Sequence, residues 1–210
     1  GHNAGLGTAA ASVASGAELD LNGRSISNAL SVTGSGINNG GAITNSSNSM
    51  ATLSGAVTLL GNSTWSSTGG LKIQGAVNAN AAGAQSLSIS SGAVEVLAGI
   101  GQTTALSSLT ISGATTPGAD VTTTGTQTYG AAVTLSGGDR VLTGSTVNTQ
   151  STLAGGSNAL AITGAADIDG AFTGLTSLSV SGTSNIGANV TTSGTQTYAG
   201  AVTLSGGDHV

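Results

Sequence analysis

The sequence of 210 residues predicts an all-β fold, a parallel β-helix (β-solenoid) wound from short strands. Three observations predict it. The first is an internal repeat. Residues 119–141 read ADVTTTGTQTYGAAVTLSGGDRV and residues 188–210 read ANVTTSGTQTYAGAVTLSGGDHV, with 18 of 23 positions identical at an offset of 69. The match runs upstream at the same offset, pairing Leu106 with Leu175, Leu109 with Leu178, Ile111 with Val180 and Gly113 with Gly182. Long self-similarity of this kind marks stacked units that bury their apolar faces on one another. The second is composition. Only 5% of residues are charged and 2% aromatic, with 36 Gly, one Pro and no Cys. An ordinary domain is about a quarter charged. Such a chain cannot fill a thick core, but it can fill a narrow one with small aliphatics. The third is a short motif of apolar, any, apolar residues followed closely by Gly.

The motif defines the strands in order. It occurs at Leu19-Asp20-Leu21, Leu30-Ser31-Val32, Val57-Thr58-Leu59, Leu71-Lys72-Ile73 and Leu87-Ser88-Ile89. It continues at Leu109-Thr110-Ile111, Val133-Thr134-Leu135, Leu160-Ala161-Ile162, Leu178-Ser179-Val180 and Val202-Thr203-Leu204. Side chains alternate across a strand, so the aliphatics face inward and the polar middle residue outward. The Gly suits a corner, where a positive φ costs it little. A helix is excluded: Gly and β-branched residues are too frequent and no 3.6-residue apolar stripe runs through the chain.

Motif spacing predicts the coil. From Leu87 onward the mean step is 23 residues, and three steps, from Leu109 to Leu178, make the 69-residue repeat. The expectation is therefore about 23 residues per coil, three coils per repeat and about nine coils in all. At a strand spacing of about 4.8 Å the rod would be roughly 40 to 45 Å long. One solenoid segment spans residues 1–210, with repeat units at 50–118 (degenerate), 119–187 and 188–210 (truncated). The structural repeat positions are Val133 and Val202, Leu135 and Leu204, Tyr129 and Tyr198, and Gly137 and Gly206. No polar cap is evident at either end, so the expectation is a piece of a longer chain or a subunit that stacks end to end.

Charge excludes several functions. Three basic residues against eight acidic ones, for a net charge of −5, give no footprint for nucleic acid. No apolar run approaches the roughly 18 residues of a membrane span. Without cysteine there is neither a disulfide framework nor a thiolate metal site.

The segments TTTGTQTYGAAVTLSGGD (residues 122–139), TTSGTQTYAGAVTLSGGD (191–208) and ATLSGAVTLLGNSTW (51–65) resemble the repeats of filamentous-haemagglutinin-like, two-partner-secreted bacterial exoproteins and related autotransporter passengers. The resemblance implies a right-handed helix, export to the bacterial outer surface or medium, and a part in adhesion, biofilm matrix or surface filaments. The family's N-terminal secretion domain is not recognisable in these residues.

Candidate chemistry is sparse. His2 and His209 are the only histidines, one near each end, and give no triad. Asp167-Ile168-Asp169-Gly170 has two carboxylates of a calcium loop but lacks the third and the distal Glu; an outward, solvated strand face is the expected reading. Ser136-Gly137-Gly138-Asp139 and its copy at 205–208 lack the nine-residue period of calcium-binding repeats, and read as turns in which Asp bonds backbone. The threonine runs at 122–124 and 191–192 recur too rarely for an ice-binding lattice. Tyr129, Tyr198 and Trp65 are either exposed adhesive rings or corner packing, the latter favoured. Sequons occur at Asn45, Asn62 and Asn189. No cofactor is expected. The functional expectation is a non-enzymatic structural or adhesive shaft, self-associating end to end or laterally, or touching surface glycans or neighbouring cells. A self-polymerising fibre subunit is the alternative, with a β-helical polysaccharide-active enzyme and an ice- or glycan-binding surface behind it.

Overall fold

The computed structural model describes residues 5–207. His2, His209 and Asp208 lie outside them. The described residues form 23 strands in one parallel sheet wound into a β-solenoid, with a single short 3-10 turn at Ile37–Asn39. Each coil carries three strands, so the rod has three faces.

Backbone pairing fixes the stack. On the first face the ranks run Ala11, Leu30, Val57, Val77, Ile100, Val121, Leu142, Ile162, Val180, Tyr198. On the second they run Leu19, Ile43, Trp65, Ile89, Ile111, Tyr129, Thr149, Ile168, Ile186, Leu204. On the third they run Ala51, Leu71, Val94, Thr115, Val133, Leu153, Phe172, Val190. Ten coils stack this way, about 43 Å over nine spacings of about 4.8 Å.

Inward residues of all three faces meet in one narrow core. It holds Val32, Leu59, Ile73, Leu109, Leu142 and Leu153, each fully buried. The alternation read from sequence is visible in the buried, half-buried, buried pattern of Leu71–Ile73 and Val77–Ala79. Every strand is covered on its inner side by the two other faces, so small aliphatics suffice.

Two features differ from the motif spacing. The coil is not 23 residues throughout: it is 27 from Leu30 to Val57 and 18 from Ile168 to Ile186. The apolar-x-apolar motif also marks a face rather than a coil. Leu109–Ile111 lies on the second face, Val133–Leu135 on the third and Leu160–Ile162 on the first. The 69-residue repeat is consequently not three coils. Val121 sits on the first face and its copy Val190 on the third; Tyr129 sits on the second and Tyr198 on the first. The offset is three coils plus two faces. The physical reason is that the three faces are chemically alike, so one sequence fits any of them.

Candidate functional site: outer faces and the open last coil

The repeat positions sort by whether a further coil covers them. Val133 and Leu135 are buried, as is Tyr129 at 1% exposure. Their copies lie in the last described coil, where Val202 is 43% and Leu204 65% exposed and Tyr198 is only partly buried. Gly137 and Gly206 turn corners at φ 70° and 84°, where glycine alone is unstrained.

The two tyrosine copies keep the same local bonds on different faces. The Tyr129 hydroxyl donates to Gln127 Oε1 at 3.0 Å, and Gln127 Nε2 donates to the carbonyl of Val121. The Tyr198 hydroxyl donates to Gln196 Oε1 at 2.9 Å, and Gln196 Nε2 to the carbonyl of Val190. Gln127 is fully buried and also donates to the carbonyl of Thr143 in the next coil. Sequence reasoning missed this glutamine. Its signal was the conserved pairing inside the repeat, Gln two residues before Tyr in both copies. Burial raises both phenols above their ordinary range, Tyr129 far more than Tyr198.

Aromatic rings are packing elements. Trp65 and Phe172 are fully buried, and Trp65 Nε1 donates to Ser63 Oγ at 3.0 Å. An adhesive role for Trp65 or Tyr129 is excluded in the folded rod. Asn45 is likewise buried: it accepts from the Gly23 N–H and donates to the carbonyls of Ser49 and Gly70, which leaves its sequon inaccessible.

Acidic and amide side chains join successive coils at corners. Asp120 accepts from the Val141 N–H, Asp139 from Ala159, Asn62 from Ser86 and Asn78 from Thr103 and Thr104. Asp139 thus bonds backbone, but of the next coil rather than of its own turn. Asp20 accepts from the Ser46 N–H and hydroxyl and from the Asn22 N–H. Partial burial opposes ionisation there, yet the bonds from Ser46 and Asn22 outweigh it and hold the carboxyl below its usual range.

Asp167 and Asp169 do not come together as a metal centre. Asp167 is half-buried and accepts from Asn185 Nδ2 at 2.9 Å, whereas Asp169 is exposed. Among the described residues no three His, Cys, Asp or Glu side chains form a group able to hold a metal ion. Lys72 pairs with Glu95 one coil away at 2.8 Å. Arg140 folds onto the carbonyls of Ser136 and Asp139, with Asp120 at 3.9 Å.

The outer faces carry hydroxyls in ranks. Thr64, Ser88, Thr110 and Thr128 stack on the second face, and Thr116 to Thr134, Ala154, Thr173 and Thr191 align on the third. On the second face Glu18, Thr44, Ser46, Ser66 and Ser90 border a shallow polar depression. At the last coil Ile186, Val190, Tyr198, Val202 and Leu204 line an apolar one. No helix is long and apolar enough to cross a membrane.

Comparison with protein-family models, curated proteins and solved structures finds no match.

Proposed function

We propose that this chain is a non-enzymatic structural shaft of a bacterial cell-surface or secreted filament, acting in adhesion, biofilm matrix or contact between cells. The observation that carries the reading is the pairing of ten continuous coils around an apolar core with outer faces of Thr, Ser, Asn and Ala. Its mechanism is mechanical. Parallel ladders run along the whole rod, so bending or pulling must break many backbone bonds together. Low charge keeps the faces insensitive to salt, and their hydroxyls can bond glycans or neighbouring rods.

The sequence resemblance to haemagglutinin-like exoproteins supports the surface location. The test is antibody labelling of intact producing cells and their medium, with the denatured mass of the native chain read from the same fractions. Surface or medium labelling is expected. Signal confined to the cytosol, or turnover of a polysaccharide by the purified chain, overturns the reading.

A further inference from the structure

We infer that the open last coil is a docking edge for the first coil of a second copy, so that rods join head to tail into a continuous β-solenoid. The inference rests on the reading of the chain as a structural rod and names its partner.

Among the described residues, strands Val190–Thr192, Gln196–Tyr198 and Val202–Leu204 pair on one side only. Strands Ala11–Val13, Leu19–Asp20 and Ser25–Ile26 at the other end also pair on one side only. A parallel ladder is directional: what one edge offers in N–H and C=O groups, the opposite edge of the same rod accepts. Both end coils carry strands in the same three-face order.

Side chains fit the same junction. Extending the register places Ala11 of the next copy after Tyr198 on the first face, and Leu19 of the next copy after Leu204 on the second. The half-buried Tyr198 ring meets a small residue. Leu204, 65% exposed, meets Leu19, which is itself only partly buried. The new interface repeats the one between any two successive coils, and it adds an inter-coil ladder on each of two faces. A lateral contact offers only scattered small residues. The contact is heterologous and does not close, so it propagates into a fibre.

Sedimentation and electron microscopy of the chain over a concentration series test it. The expected result is a linear series of multiples of 19.6 kDa, with rods repeating about every 48 Å, ten spacings of about 4.8 Å. Leu204→Lys should leave a monomer with unchanged circular dichroism and melting, because the side chain is already exposed. Thr134→Lys, on a lateral face, should still form fibres. Four results overturn the inference: a monomer at every concentration, a series that stops at the dimer, fibres that survive Leu204→Lys, or a native chain whose own continuation covers the last coil. None of them touches surface labelling, so the shaft reading fails separately.

Discussion

Leu135 and Thr134 are neighbours with opposite fates: one points into the core, the other to solvent. Leu135→Asp buries an unpaired charge in a core with no partner for it, and the rod should lose its cooperative melt. Thr134→Asp should shift stability by no more than about 0.5 kcal/mol. Equal effects in thermal denaturation would refute the inside/outside assignment. Gln127 makes the sharper case. Gln127→Ala leaves two buried carbonyls and the Tyr129 hydroxyl without partners, a loss of about 3 kcal/mol. Tyr129→Phe should cost about 1 kcal/mol, and a double-mutant cycle in urea should show the two are coupled. The tyrosines also separate by pH. Both phenols are raised by burial, so each contributes stability that is complete below the unfolded pKa of about 10 and declines as pH rises toward the folded value. Ultraviolet titration of the folded rod should ionise Tyr198 first and Tyr129 only on unfolding. Simultaneous ionisation would mean that Tyr129 is not covered.

At the level of the strand and corner, close backbone approach matters more than turn type. A Cβ added at Gly113 would lie 1.7 Å from the Ser91 carbonyl oxygen in the previous coil, without any unusual φ. Gly113→Ala must therefore push two coils apart and should cost about 2 kcal/mol. The Lys72–Glu95 pair is roughly a third exposed on each side chain. Its removal by Lys72→Ala should cost under about 1 kcal/mol, because solvent screens it. Corner carboxylates give a pH dependence of their own. The folded Asp20 carboxyl lies below its ordinary range, so its contribution is present above the unfolded pKa of about 3.9 and lost as pH falls through the folded value. The urea midpoint of the native rod should therefore fall more steeply below pH 4 than that of Asp20→Asn. Parallel curves would remove Asp20 from the acid transition. The strands were legible because alternation needs only neighbours in sequence. The corner bonds were not, because Asp120 and Val141 meet only once the coil length is fixed.

For the rod as a whole, each coil touches chiefly the coils before and after it, so stability is a sum of coil terms and interfaces. Damage in the middle should divide the rod into two melting units, whereas damage in the last coil should fray one end only. Hydrogen exchange on Leu153→Asp and Val202→Asp measures this. Loss of protection across all coils in both variants would refute the nearest-neighbour picture. Composition and the alternating motif by themselves determined an all-β solenoid with small aliphatics inside and hydroxyls outside, since both follow from strand periodicity and the size of the available side chains. The tertiary structure decided the number of residues per coil, the three-face layout and the face on which each repeat copy lies. Corners between faces are 18 to 27 residues apart along equivalent ranks, and no local signal distinguishes one face from the next. Only the pairing of one coil on another decides where the chain turns, because backbone bonds between distant residues, not side-chain pattern, set that register.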